Sequence, residues 1–290
     1  MTVRQFLRTF LALPVAITPA IVVSPADGSA PSESPPSPAT VPDTARHALE
    51  AGRFWHASRM LHDHLAASGD STPEAVLMTA RADVGWGGWS RVAPLLEGRD
   101  WLDTAADGEG WRLLGRARFA LGDAESAARA LGRYLRVAEG ASERERGVVE
   151  YRRAVALRRA EADSAAVEAF DRAARALPLV ADRIEARAIE VLAELGDTAA
   201  VARRLVALEP GLAERVGWRS RVRAFRRADD PEMAAHVAGR AETTARGADR
   251  AEAAFELGRI GLERGDTAAA RAAFRRAIDA APDAIAAVDA

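Results

Sequence analysis

The chain has 290 residues, 49% of them hydrophobic, and a formal net charge of −2. The balance of 40 basic and 42 acidic residues argues against a general nucleic-acid binder, which would carry a clear basic excess. Cysteine is absent, which excludes disulfides, thiolate metal sites and a cysteine nucleophile. Lysine is absent too, so every basic residue counted is an arginine, and a single arginine is weak evidence of function in this composition.

The amino terminus has the pattern of a secretory leader. Arg4 and Arg8 precede an apolar run over residues 10–23, and small residues follow. The run is short and contains two prolines, so it is a poor membrane span. We therefore predict a signal peptide over residues 1–26 and an exported, periplasmic protein, with no membrane span after cleavage. An uncleaved membrane anchor is the lesser alternative.

A proline- and serine-rich segment follows the leader. Residues 27–43 carry five prolines among serine, alanine and threonine. Such a composition cannot bury a core, so the segment is predicted to be a disordered linker. Ordered structure is expected over residues 44–281.

An aspartate then returns every 33–40 residues, each time between two stretches with helical apolar spacing. Two further steps of 35 residues towards the amino terminus reach Gly88 and Arg53, which lie in the same kind of junction. Aspartate is a preferred helix N-cap, so each one is predicted to cap the second helix of a helical hairpin. None of them is read as a catalytic carboxylate. The recurring aspartates are Asp123, Asp163, Asp197, Asp230 and Asp266.

The last repeat shows the pattern most clearly. Small residues at Gly258 and Ala270, large ones at Leu257 and Phe274, and a proline at 282 resemble the tetratricopeptide repeat. The resemblance implies an all-α, right-handed superhelical solenoid of about seven hairpins. Residues 282–290 are predicted to start a further helix that is cut off, with more repeats or another domain expected to follow.

A second resemblance covers much of the same region. The stretches 48–59, 85–89 and 95–102, supported by 176–182, resemble the superhelical amino-terminal region of bacterial soluble lytic murein transglycosylases. In that family an exported solenoid precedes a lysozyme-like domain that cleaves peptidoglycan strands and leaves anhydromuramyl ends. The resemblance implies that this chain is part of such an enzyme.

The catalytic motif of that family is not found here. Its acid/base glutamate is directly followed by serine, with asparagine- and glutamine-containing segments downstream. Glu-Ser occurs at 33–34 and 125–126, but the chain has no asparagine and no glutamine after Gln5. No catalytic residue can be carried over, and the chain is interpreted as the non-catalytic arm.

Metal and cofactor sites are not predicted. His62 and His64 stand two apart, so on a helix their imidazoles point to different faces and cannot easily share an ion. No phosphate-binding glycine loop or nucleophile elbow is present either.

The binding residues, by contrast, are predicted on the inner face of the solenoid, which first helices line. Arginines there would suit carboxylate-bearing peptides, including peptidoglycan stem peptides, although pairing with glutamates of the same helices is the favoured alternative. Trp86 and Trp89 are either a stacking platform or large core residues, and the core is favoured. The candidates, counted back from each cap, are Arg112, Arg116, Arg152, Arg159, Arg219, Arg223, Arg226 and Arg259.

Three functional hypotheses follow. The first is an exported scaffold that forms the arm of a lytic transglycosylase, and the second is a stand-alone periplasmic adaptor in envelope assembly or secretion. The third is a cytoplasmic repeat protein whose start resembles a leader. The expected partner is a protein or peptide segment, or peptidoglycan, and not nucleic acid.

Overall fold

The structure is a computed structural model that describes residues 41–69 and 71–282, without the side chains of residues 214 and 215. Within these residues the secondary structure is helical throughout. The α-helices are α1 (Asp43–Glu50), α2 (Phe54–Ser68), α3 (Pro73–Trp86), α4 (Trp89–Leu96), α5 (Glu109–Ala120), α6 (Ala124–Val137), α7 (Glu143–Arg159), α8 (Asp163–Ala176), α9 (Ala181–Glu194), α10 (Thr198–Ala207), α11 (Pro210–Arg227), α12 (Pro231–Thr244), α13 (Gly247–Glu263) and α14 (Thr267–Ala280). Short 3₁₀ turns lie at Asp100–Asp103, Ala105–Gly108 and Pro178–Val180.

Consecutive helices pair into seven hairpins in the described residues, from hairpin 1 (α1 and α2) to hairpin 7 (α13 and α14). The second helix of each hairpin packs against the first helix of the next, and α3 with α5 and α9 with α11 also bring first helices into contact. The predicted fold class, an all-α superhelical solenoid of helical hairpins, is confirmed.

The same elbow joins the two helices of every hairpin. The residue that precedes each second helix has φ between −114° and −75° and ψ between 47° and 79°. The residue before it has positive φ, and this residue is glycine in five of the seven elbows. The N-cap N–H donates to the carbonyl five residues earlier, which is the six-to-one bond of a Schellman motif. These N-caps are Arg53, Gly88, Asp123, Ala162, Asp197, Asp230 and Asp266.

Four of the recurring aspartates accept a hydrogen bond from the backbone N–H three residues later, as a helix cap does. The N···O distances are 3.1 Å for Asp123, 2.8 Å for Asp197, 3.0 Å for Asp230 and 2.9 Å for Asp266.

Asp163 is not a cap, contrary to the prediction. Ala162 occupies the N-cap position, and Asp163 is the first residue of α8, where its carboxylate accepts from Arg158 at 3.1 Å. The left-handed residue of this elbow is Glu161, at φ 58°, so no glycine marks the junction in the sequence. Positions counted back from this cap, those of Arg152 and Arg159, therefore shift by one residue.

The two helices of a hairpin approach closely where the first helix carries glycine. A Cβ on Gly115 would lie 2.7 Å from the side chain of Leu131, and one on Gly258 would lie 2.4 Å from the ring of Phe274. Leu131 is almost completely buried, as is Ile260 on α13. The tightly packed cores of these hairpins fix the directions in which the outer faces of the first helices point.

Several predictions lie at the ends of the chain. The predicted signal peptide, residues 27–40 of the predicted linker, and 283–290 of the predicted further helix lie outside the described residues. Helix α1 begins at Asp43, the last residue assigned to the linker. None of the helices in residues 41–69 and 71–282 combines the length and the apolar character that crossing a membrane requires.

Candidate binding surfaces on the first helices

The eight candidate arginines fall into two groups. Arg112, Arg116 and Arg152, on α5 and α7, form what we call the α5–α7 basic surface. The other group lies on α11 and α13, together with carboxylates, and we call it the α11–α13 network. Its arginines are Arg219, Arg223, Arg226 and Arg259. Arg159 belongs to neither group and is described separately.

Two carboxylates border the α5–α7 basic surface, and both are already engaged. Glu109 accepts two hydrogen bonds from Arg81 Nε, at 3.0 and 2.9 Å, and one from Arg112 Nη2 at 2.9 Å. Glu145 accepts from the Tyr134 hydroxyl at 2.8 Å, and burial with this contact raises the pKa of Tyr134 to about 12. Glu109 thus already pairs with two arginines, and Glu145 lies 3.7 Å from Arg112 Nε.

Arg116 and Arg152 have no carboxylate within ion-pair distance in the part of the chain that the structure describes. Arg116 instead places its guanidinium 6.0 Å from the centre of the Trp89 ring. Burial, followed by repulsion from Arg152 and Arg112, lowers the pKa of Arg116, and burial with repulsion from Arg112 lowers that of Arg152. The three guanidinium groups thus share one electropositive region.

Arg159 lies further along α7. Its guanidinium stacks over Phe119 of α5, 4.1 Å from the ring centre. With Ala162 as the N-cap, Tyr151 and Arg158 take the repeat positions that had been assigned to Arg152 and Arg159. The two arginines nevertheless face α5, because they lie one residue further along the helix and have long side chains.

The arginines of the α11–α13 network are paired across hairpins. Arg219 donates to Glu252 at 2.8 Å and to Asp249 at 2.7 Å, and Arg226 donates to Glu256 at 3.0 Å and also to Glu263. These hydrogen bonds raise the pKa of Arg219 and of Arg226.

The remaining arginines of this network are paired as well. Arg223 lies 3.1 Å from Glu194 of α9, and Arg259 lies 3.1 Å from Glu256. A cavity of about 640 Å³ opens among these side chains, lined by five arginines and five carboxylates. The network is therefore neutral as a whole.

The repeat explains the difference between the two groups. Glu256 and Glu263 lie ten and three residues before their N-cap, and in α7 the equivalent residues are Arg152 and Arg159. Glu252 is replaced in α7 by Val148, whereas Asp249 corresponds to another acidic residue, Glu145. Two of the glutamates that neutralise α11 are thus replaced by arginines where α7 faces α5.

Trp86 and Trp89 lie at the elbow of hairpin 2 and differ in exposure. Trp89 is half-buried and packs with Trp101 and Trp111 against the core of hairpins 2 and 3. Trp86 is 38% exposed, and its indole N–H donates to Asp83 at 3.3 Å. The core interpretation describes Trp89, which also forms the floor beneath Arg116.

Sequence reasoning missed a buried polar cluster between α2 and α3. Asp83 is fully buried, accepts from the Ser58 hydroxyl at 2.5 Å and bonds His62 Nε2 at 2.9 Å. Ser58 and His62 share a helix face at i and i+4, but their partner is 21–25 residues away and local spacing gives no signal for it. His62 therefore serves helix packing, and no group of possible metal ligands occurs among residues 41–69 and 71–282.

No protein-family model matches the chain, and no curated protein matches it. A similar solved structure is titled "Crystal structure of APC/C hetero-tetramer Cut9-Hcn1". Its matching chain is 12% identical with a TM-score of 0.31, over 85% of this chain and 53% of that one. The chain thus spans about half the length of that neighbour. The seven hairpins themselves identify the fold, a solenoid of tetratricopeptide-like repeats.

Proposed function

We propose that the chain is a binding scaffold that is exported to the periplasm and serves as the non-catalytic arm of a peptidoglycan lytic transglycosylase. The observation that carries the proposal is the repeated elbow, which sets successive hairpins in the same way and aligns their first helices along one face. Ion pairs link neighbouring first helices, such as Arg46 with Glu74 and Arg223 with Glu194, both at 3.1 Å. Such an extended face suits the binding of a long partner, a protein segment or a glycan-linked peptide.

Two features of the sequence support the finer parts of the proposal. The leader pattern of residues 1–26 supports export. Two of the stretches that carry the transglycosylase resemblance, 85–89 and 95–102, lie at the elbow of hairpin 2 and at the end of α4 with the following 3₁₀ turn, next to α5. The catalytic step would belong to a lysozyme-like domain encoded downstream, and the scaffold itself would need no cofactor.

Export is tested by expressing the chain with its own leader and fractionating the cells. We expect periplasmic protein whose new amino terminus, read by mass spectrometry, lies near residues 24–30. A full-length cytoplasmic product would contradict export.

The role as an enzyme arm is tested by sequencing past codon 290 and by sedimenting the purified chain with isolated peptidoglycan sacculi. A downstream lysozyme-like domain together with co-sedimentation supports the proposal. A stop codon near residue 290, with a protein partner recovered and no sacculus binding, would replace it with the stand-alone periplasmic adaptor.

A further inference from the structure

The α5–α7 basic surface has an excess of positive charge that the protein itself does not neutralise. Arg81, Arg112, Arg116 and Arg152 face two carboxylates, Glu109 and Glu145, so two guanidinium groups remain without an acidic partner. The α11–α13 network uses the same repeat positions and is balanced, five against five. The excess is therefore a local property of α5 and α7, whereas the chain as a whole has a net charge of −2.

Arg112 also carries a donor without an acceptor. Its Nε is buried and makes no hydrogen bond, because the nearest carboxylate oxygen, on Glu145, is 3.7 Å away. Buried N–H groups are nearly always paired in folded proteins, so the hydrogen-bonding capacity of Arg112 is not fully used beside two arginines that lack an acidic partner.

One arginine of the surface and one next to it lie over aromatic rings. Arg116 lies over Trp89, and Arg159 stacks on Phe119 at the end of the surface. Stacking on a ring face holds the guanidinium plane and leaves its N–H edges available for hydrogen bonds. Arginines oriented in this way lose less conformational freedom when they bind a planar anion.

We propose that the α5–α7 basic surface binds a peptide segment carrying at least two carboxylates, one on Arg112 and Arg116 and one on Arg152. The planar guanidinium fork matches a carboxylate with two parallel N–H···O bonds. Nucleic acid fits less well, because the basic surface is confined to a few arginines and the chain as a whole has a net charge of −2, whereas a nucleic-acid binder carries a clear basic excess. This assignment rests on the proposed scaffold function. It names the class of ligand for the part of the scaffold formed by α5 and α7.

The test measures binding of a fluorescein-labelled tetraglutamate peptide to the full chain, with tetraglutamine and oligothymidylate as the other probes. We expect the double variant R116Q/R152Q to weaken tetraglutamate binding about tenfold or more, since each lost charged hydrogen bond has an effect of that order. The matched control R223Q/R259Q removes the same charge from the α11–α13 network and should change binding less than about twofold. R116K/R152K keeps the charge without the fork and should restore part of the affinity.

Three outcomes would overturn the assignment: equal weakening by the two glutamine double variants, tetraglutamine bound as tightly as tetraglutamate, or oligothymidylate bound more tightly than either. Helical circular dichroism of each variant shows whether it is folded.

Sacculus co-sedimentation of the same proteins separates the two proposals. If R116Q/R152Q sediments like the wild type and tetraglutamate does not bind, the site is wrong and the scaffold function stands. If tetraglutamate binds as expected and the wild type does not sediment, the site stands and the transglycosylase role fails.

Discussion

The faces formed by α5 with α7 and by α11 with α13 have the same construction but differ in charge, because the first has an excess of arginines and the second is balanced. Each belongs to two consecutive hairpins with identical elbows, and each presents arginines on its first helices. On α11 these arginines bond the glutamates of α13, whereas α5 faces Arg152 and Arg159 of α7, the second of which covers Phe119. The availability of an arginine thus depends on the residue at one equivalent position in the next hairpin.

The two faces also differ at one equivalent contact between their first helices, which is an ion pair in one face and a cation–ring contact in the other. Arg226 and Phe119 both lie four residues before their N-cap. Arg226 bonds Glu263 of the next hairpin, and Phe119 is covered by Arg159, the equivalent of Glu263. A cation therefore sits at this contact in both hairpin pairs, but only one pair supplies an anion. One face is occupied by its own side chains, and the other is left open to a ligand.

The largest effect on stability should come from core substitutions that destabilise one hairpin pair and leave the other folded. Leu131→Ala and Ile260→Ala each remove a fully buried side chain, and each should lower the free energy of unfolding by about 2–5 kcal/mol. Because repeats are stabilised mainly by their neighbours, the loss should stay local. Hydrogen exchange should rise in hairpins 3 and 4 for the first variant and in hairpins 6 and 7 for the second. Equal acceleration along the whole array would show that the two faces unfold as one unit.

Replacing glutamates of α13 by arginines should create a peptide-binding site on the α11–α13 face. Glu256→Arg with Glu263→Arg gives α13 the arginines that α7 has at these two positions and leaves Arg226 without its two carboxylates. We expect a second tetraglutamate site with affinity within about tenfold of the first, a difference of about 1.4 kcal/mol. Calorimetric stoichiometry should rise from one to two peptides per chain. A stoichiometry that stays at one would mean that the aromatic floor, rather than charge, creates the site.

The two faces should also differ in how much their arginines contribute to the free energy of unfolding. Arg226→Gln removes ion pairs to two glutamates and should destabilise the chain by up to about 1 kcal/mol, the usual range for surface pairs. Arg116→Gln removes a charge that its neighbours repel and should be neutral or stabilising by a few tenths of a kcal/mol. Urea unfolding in low salt measures both changes, and about 1 M NaCl should reduce the difference between them. Equal destabilisation by the two variants would argue that Arg116 has an unrecognised stabilising role.

Acid should act weakly on hairpin 3, through the ion pair of Asp103 with Arg133. Hydrogen bonds from Arg133 and then Trp111 lower the pKa of Asp103 to about 2. Because this pKa is depressed in the folded state, the stabilisation is complete above the unfolded value of about 4 and is lost as the pH falls through 2. The urea midpoint of the wild type should therefore drop more between pH 4 and pH 2 than that of Asp103→Asn. Parallel curves for the two proteins would contradict this assignment.

Local sequence signals predicted the hairpins but not which arginines remain unpaired on the α5–α7 basic surface. Gly-Asp pairs such as Gly122-Asp123 determine an elbow within two residues, so spacing alone located most joints. The exception, Ala162, follows a left-handed glutamate that no composition rule marks. Whether an arginine is neutralised depends on a carboxylate 30–37 residues away, as for Arg226, and single-helix spacing carries no information about it. The eight candidates therefore looked equivalent in the sequence although only some of them are available.

The shared elbow has a consequence for how such a protein can change over evolutionary time. Because the residues that begin α10 and α12 follow N-caps of the same geometry, Asp197 and Asp230, a whole hairpin can be duplicated or deleted between equivalent caps without rebuilding a joint. The number of hairpins then sets the length of the face, while substitutions on the outer stripe of each first helix set its charge. Reach and ligand preference can thus be selected independently of each other.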